Sequence, residues 1–135
     1  MGYTHALFGA GLASWLDPAH PLAASFWGYL GSTVPDLDLK FKHRKLLHNL
    51  FSLALFSTLV YLVVGKGWAA LDFSVGYFSH LILDSITVKG VWLFWPLYNK
   101  SFGLRLTRSD NLAANALFSF LGILLLISSW LQLGP

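Results

Sequence analysis

The last part of this chain is an apolar stretch long enough to cross a lipid bilayer. It runs from about Leu112 to Leu133, reads LAANALFSFLGILLLISSWLQL, and carries no charged residue. Crossing the hydrocarbon core takes about 20 mainly apolar residues in a helix. Because the bilayer interior offers no water to backbone groups, a single spanning segment has to be helical. The chain is therefore predicted to be an integral membrane protein.

The composition supports a lipid-facing surface. Hydrophobic residues make up 56% of the 135 residues and charged residues only 11%, against about 25% charged in an ordinary soluble domain. All six acidic residues are aspartates, and the chain has no cysteine. The lack of cysteine excludes disulfides and thiolate metal sites.

Further apolar segments precede the last one. Two more spans are predicted at about Lys45–Val64 and Trp68–Thr87, after two shorter helices at Thr4–Leu16 and Pro21–Val34. Two prolines in the linker between the short helices break any continuous helix. The sequence thus predicts one all-α transmembrane domain over residues 1–135: a short N-terminal helical hairpin plus three transmembrane helices, a bundle of four or five helices.

The basic residues predict the orientation of this bundle. Lys66 alone falls in the turn on one side of the membrane. The other eight fall in two connections that helix parity places on the opposite side: Lys40, Lys42, Arg44, Lys45, Lys89, Lys100, Arg105 and Arg108. Lys and Arg accumulate on the cytoplasmic side of membrane proteins. We therefore expect a multi-pass protein of the cell inner membrane with a cytoplasmic N-terminus and no nucleic-acid partner.

The segment SHLILDS, residues 79–85, places His80 and Asp84 inside an apolar helix. Residues four apart lie on the same helix face, so both side chains point at one object. One interpretation is that the two side chains hydrogen-bond to each other and bind no ligand. A metal site is the other.

The predicted topology brings further polar residues to the same depth on the cytoplasmic side. His48 is expected about one turn inside its span. The complete candidate set is His5, Asp36, Asp38, His43, His48, His80 and Asp84. Taken singly, these residues have simpler interpretations as a helix-ending turn, a basic patch on anionic lipid or an interfacial histidine. Asp17, His20 and Asp72 fall toward the opposite end and are left unassigned.

The cost of burying charge favours a metal site for the set as a whole. An unpaired charge inside a membrane is expensive, and neighbouring carboxylates repel each other. Imidazole and carboxylate ligands without sulfur suit Zn²⁺ first, with Mn²⁺ or Fe²⁺ as alternatives. Six or seven ligands are enough for two ions, which together activate a water for hydrolysis.

The order of these motifs resembles the YdjM-like family of membrane-bound metal-dependent hydrolases, which is linked to LexA regulation. The matching segments are Thr4-His5, then PDLD at 35–38, HRKLLH at 43–48, GYFSHLILD at 76–84 and LFWP at 93–96. The family usually has Thr and Ser beside the second histidine, where this chain has Leu47 and Asn49. The resemblance implies a hydrolase that uses a divalent metal in a membrane.

From these residues we expect His5, Asp36, Asp38, His48, His80 and Asp84 to bind metal. His43 is expected to be a further ligand or a general acid, and Arg44 to hold a phosphate or to anchor on lipid headgroups. The expected substrate is a phosphoester, or an ester, of a lipid or other amphiphile at the cytoplasmic leaflet. A transporter of metal ions or protons and a metal-stapled membrane scaffold are the alternatives, and the oligomeric state is open.

Overall fold

The structure is a computed structural model that describes residues 2–17, 19–36, 47–86, 94, 97 and 111–131. Within these ranges the regular structure is helical, as predicted. The five α-helices are α1 Gly2–Leu16, α2 Pro21–Thr33, α3 Leu50–Val64, α4 Gly67–Ile86 and α5 Leu112–Leu131.

Helix α3 begins later than predicted. Its N-cap is Asn49, whose side-chain oxygen accepts a hydrogen bond from the backbone N–H of Ser52 at 2.8 Å. Asn is a favoured N-cap because its oxygen satisfies a backbone donor that the first helical turn leaves unpaired. His48 therefore precedes the helix, and the predicted position one turn inside the span is wrong.

Helix α1 lies at the centre of the bundle and packs against α2, α4 and α5, while α2 and α3 each pack against α4. The buried apolar core is centred on α4 at Phe73, Tyr77 and Leu81. Partly buried side chains from α2 and α3 pack onto these three residues. The arrangement surrounds α4, which carries His80 and Asp84, on several sides.

Two glycines allow α2 and α4 to approach closely. A Cβ atom added to Gly76 of α4 would overlap the backbone carbonyl of Gly28 of α2. Small residues at helix contacts are typical of membrane proteins, where association depends on close van der Waals packing rather than on apolar burial from water. The contact fixes the depth of α4 relative to α2.

The outer surface of the bundle is apolar. Val63 on α3 is 84% exposed and Leu112 on α5 is 80% exposed, and α5 has both the length and the hydropathy of a membrane-crossing helix. Helix α3 is equally apolar but has 15 residues. In the part of the chain that the structure describes, only α5 meets both requirements. Three spans and a cytoplasmic N-terminus therefore remain predictions.

Candidate metal centre

Five ionisable side chains from four segments of the chain converge at one end of the bundle. They are His5 of α1, Asp36 just after α2, His48 just before α3, and His80 and Asp84 of α4. The three histidines and Asp84 are at most 2% exposed, whereas the side chain of Asp36 is 30% exposed. Asp36 is thus the accessible member of the five.

The carboxylate of Asp84 lies in the middle of three histidines. Its Oδ1 is 3.1 Å from His5 Nε2. Its Oδ2 is 3.1 Å from His48 Nε2 and 3.1 Å from His80 Nε2. The two oxygens therefore face different histidines, as in a carboxylate that bridges two positive centres.

The tautomer of His80 follows from its other contact. Its Nδ1 lies 2.6 Å from the backbone carbonyl oxygen of Ser32, which only accepts, so Nδ1 donates. In the neutral imidazole Nε2 then carries a lone pair. Holding the far ring nitrogen by a carbonyl is the usual way in which proteins orient a metal-binding histidine.

The lone pair of His80 Nε2 faces two carboxylate oxygens and a ring nitrogen of His48. His48 Nε2 and Asp84 Oδ2 are each 3.1 Å away, and Asp36 Oδ1 is 3.4 Å away. Acceptors this close to each other require a proton or a cation between them. A metal fits the spacing, because ligands on a tetrahedral zinc ion with bonds of about 2.0–2.1 Å lie about 3.3 Å apart.

Two overlapping ligand groups share His80. One contains His5, His80 and Asp84, and the other contains Asp36, His48 and His80; within each group the ligand atoms lie within 4.8 Å of one another. His5 stacks on His80 with ring centroids 3.7 Å apart. Its Nδ1 is buried and has no hydrogen-bond partner among the described residues. The donor set and the spacing fit divalent metal ions.

Comparison with known proteins gives the family. The chain matches the YdjM inner membrane protein family over residues 1–133. This chain belongs to the YdjM inner membrane protein family. The resemblance inferred from the order of the motifs is thereby confirmed, and the family supports a location in the inner membrane.

The similar curated proteins are named only as membrane proteins. The chain is 36% identical over 61 residues to inner membrane protein YdjM of Escherichia coli (strain K12), and equally to that of Shigella flexneri. Each match covers 42% of this chain and 31% of the relative, so the chain aligns with less than a third of each. No solved structure matches it.

Hydrogen bonds hold the segments that carry the ligands. The hydroxyl of Tyr77 donates to the backbone carbonyl of Leu47, one residue before His48. The hydroxyl of Thr4, next to His5, donates to the side-chain oxygen of Asn115 on α5 at 2.7 Å. These contacts restrain the two histidines that do not lie on α4.

The structure brings together five of the eight predicted site residues. Asp38, His43 and Arg44 lie outside the described residues, as do the basic connections used to predict the orientation. The contact of His80 with Ser32 was missed, because a backbone carbonyl has no signature in the sequence. The contact of Thr4 with Asn115 was also missed, although an asparagine within an apolar helix is a usable signal.

Proposed function

We propose that this YdjM-family protein is a membrane-embedded, metal-dependent hydrolase that cleaves a phosphoester of a lipid or other amphiphile at the cytoplasmic leaflet. One observation carries the proposal: three buried histidines surround one buried aspartate, with a second, partly exposed aspartate beside them. A hydrogen-bonded His–Asp pair with a purely structural role needs only two groups. Five groups from four segments favour ion binding.

The proposed centre holds two divalent ions, with zinc as the leading choice and manganese or iron as alternatives. Asp84 would help to hold both ions, since its Oδ1 faces His5 and its Oδ2 faces His48 and His80. Asp36 completes the second group at the exposed side. When bound, the ions supply a water of lowered pKa and charge stabilisation at the reacting oxygens.

The surroundings of Asp36 support an amphiphilic substrate. Within the described residues, Asp36 is the exposed member of the cluster, so we expect substrate to approach from its side. An apolar groove of about 260 Å³ lies on α2, α3 and α4 and includes Val34, two residues before Asp36. Trp27, Phe56 and Phe73 also line it. We infer that the groove holds an acyl or isoprenoid chain while the headgroup reaches the ions.

Two further residues complete the proposal beyond the described part of the chain. His43 is proposed as an additional ligand or as the acid that protonates the leaving group. Arg44 is proposed to hold a phosphate by paired hydrogen bonds. Arginine is suited to this role because its planar guanidinium matches two oxygens of a phosphate at once.

The proposal is tested with purified protein in lipid nanodiscs. A total lipid extract is added with Zn²⁺, with Mn²⁺ or with a chelator, and products are followed by mass spectrometry. A metal-dependent product is expected from the native protein and at least about 100-fold less from Asp84→Asn, since this ligand supplies several kcal/mol through the ions.

The matched control is Lys66→Gln, which also removes one charge but lies in the turn between α3 and α4, outside the cluster. It is expected to keep the native rate. Turnover that persists in the chelator, or that Asp84→Asn leaves unchanged, would contradict the proposal. Stoichiometric metal without turnover of lipids or soluble phosphoesters would favour a metal-stapled scaffold instead.

The packing along α4 favours hydrolysis over ion transport. A conduction route needs polar groups spaced through the depth of the membrane. Between Asp72 and Asp84, helix α4 instead buries Phe73, Tyr77 and Leu81 against α2 and α3. Gly76 closes directly onto the backbone of Gly28. The polar groups at the two ends of α4 are therefore separated by tightly packed residues.

A further inference from the structure

A second polar cluster lies at the other end of α4. Asp17 and His20 come from the linker between α1 and α2, and Trp68 and Asp72 come from the first turns of α4. His20 Nδ1 is 3.2 Å and 3.3 Å from the two carboxylate oxygens of Asp17. The His20 ring stacks on the Trp68 ring with centroids 4.1 Å apart. The imidazole therefore fixes both Asp17 and the indole.

Asp72 is the least satisfied member of this cluster. It is only 3% exposed and lies beside Asp17. Its Oδ2 has no hydrogen-bond partner among the described residues. Lys66, the one Lys or Arg in the described ranges, forms no ion pair with either carboxyl group. Within the described ranges, the buried Asp72 Oδ2 therefore has neither a hydrogen-bond donor nor a lysine or arginine paired with it, which is an unfavourable environment for a polar atom.

A cavity opens beside Asp72. It has a volume of about 360 Å³ and is lined by Leu16, Asp17, Trp68, Leu71, Asp72 and Val75. A single water takes up about 30 Å³ in the liquid, so the cavity is far larger than a hydrated proton or a bare metal ion needs. Its size instead matches the lower end of small-molecule pockets, about 300 Å³ upward. Its lining joins two carboxyl groups to an apolar wall.

We propose that this cavity binds a primary ammonium group carried on a short apolar body. The N–H groups of such an ammonium donate to the carboxyl groups of Asp72 and Asp17, which both line the cavity. A quaternary ammonium cannot do this because it has no N–H. The ring of Trp68 adds attraction for a cation lying against its face. The apolar body contacts Leu16, Leu71 and Val75.

The ammonium site is independent of the metal centre. Asp72 and Asp84 are twelve residues apart on α4, which is about 18 Å along a helix. The residues that line the cavity include none of the five in the metal centre. Loss of one site is therefore expected to leave the other intact.

The proposal is tested by titrating the protein with butylammonium in nanodiscs of phosphatidylcholine and phosphatidylglycerol, using calorimetry. The matched probe is butyltrimethylammonium, which has the same charge and apolar chain but no N–H. We expect saturable binding of butylammonium, tighter than that of the quaternary probe by about tenfold or more, as for a hydrogen bond to a charged group. Equal binding of both probes, or no saturable binding of either, would overturn the proposal.

Two variants of matched chemistry locate the site. Asp72→Asn keeps the shape of the side chain and is expected to weaken butylammonium binding about tenfold or more. Asp36→Asn makes the same change at the far end of the bundle and is expected to bind as the native protein does. Thermal unfolding of both variants checks that they fold. Unchanged binding by a folded Asp72→Asn would overturn the proposal, as would binding of a divalent ion, but of no amine, at Asp72.

A further titration, in discs with a different lipid, distinguishes a lipid headgroup from a free amine as the source of the primary ammonium group. The titration is repeated in nanodiscs that contain phosphatidylethanolamine, whose headgroup ends in a primary ammonium. Weaker apparent binding of butylammonium in these discs identifies the lipid headgroup as the competitor. Unchanged binding identifies a free amine as the ligand. Both results support the ammonium site, provided that Asp72→Asn weakens binding in the discs without ethanolamine lipid.

Discussion

Helix α4 carries a polar cluster at each end, and the two clusters differ in their numbers of histidines and carboxyl groups. At the Asp84 end, three histidines surround one buried carboxylate and a second carboxylate stands at the exposed side. At the Asp72 end, one histidine contacts one of two carboxyl groups beside a largely apolar cavity. Many nitrogen ligands around a shared oxygen ligand suit a metal ion. Few donors beside a roomy cavity suit an organic cation.

The difference shows that the surroundings of a buried aspartate, and not the residue type alone, determine which ligand it suits. An aspartate on α4 faces inward at both ends, but only Asp84 meets side chains from two other segments, His5 of α1 and His48 before α3. Asp72 meets Asp17 of the linker between α1 and α2, and an open volume remains beside it. The number of segments that converge, rather than the presence of a buried acid, distinguishes the two proposed ligands.

The largest expected difference between the two ends is stabilisation by zinc. Native protein stripped of metal and unfolded by heat is expected to gain about 4 kcal/mol when free Zn²⁺ is about 1,000 times its Kd. Asp72→Asn is expected to gain the same amount, because it leaves every ligand in place. Asp84→Asn is expected to lose most of the gain. Equal stabilisation of the two variants would remove the distinction between the ends.

A smaller effect on stability is expected at the contact between Gly76 of α4 and Gly28 of α2. Gly76→Ala adds a methyl group against the carbonyl of Gly28, and overpacking of this kind costs about 1–3 kcal/mol. Gly67→Ala at the start of α4 is the control, since the nearest atom to its new Cβ is 4.0 Å away. Thermal unfolding in detergent measures both. A Gly76→Ala protein as stable as Gly67→Ala would show that the two helices do not approach this closely.

The smallest effect is expected at the cap of α3. Asn49→Ala removes the acceptor for the Ser52 N–H, and loss of such a cap costs about 1 kcal/mol. Because Asn49 follows His48 directly, the variant is also expected to bind zinc less tightly than native protein. Asn111→Ala removes a comparable contact before α5, where Asn111 accepts from the N–H of Ala114. Its zinc affinity should equal the native value, and an equal loss in both variants would argue against a local effect.

Much of the fold could be predicted, because apolar segments of membrane length have few alternatives to a helix. Helix α4 was expected at Trp68–Thr87 and lies at Gly67–Ile86. The start of α3 was placed too early because Leu46 and Leu47 extend the apolar sequence pattern to the N-terminal side of Asn49, the N-cap of the helix. Hydropathy alone does not show at which residue of an apolar segment a helix begins.

The site was predictable to the extent that depth in the membrane limits which residues can meet. His80 and Asp84 share a face by helical spacing, and their contact of 3.1 Å agrees with that expectation. The approach of His5 to Asp84 depends on the packing of α1 against α4, which helical periodicity does not encode. Asp17, His20 and Asp72 were left unassigned, since their meeting depends on the path of the linker between α1 and α2, which helical periodicity does not encode.

Elemental analysis of native protein, purified without chelators or added metal, tests the convergence of the four segments most directly. Close to two divalent ions per chain are expected, with His80→Ala losing at least one and Lys66→Gln losing none. Native protein that carries no divalent metal, and takes up none when zinc is supplied, would contradict the assignment of these five residues as a metal centre.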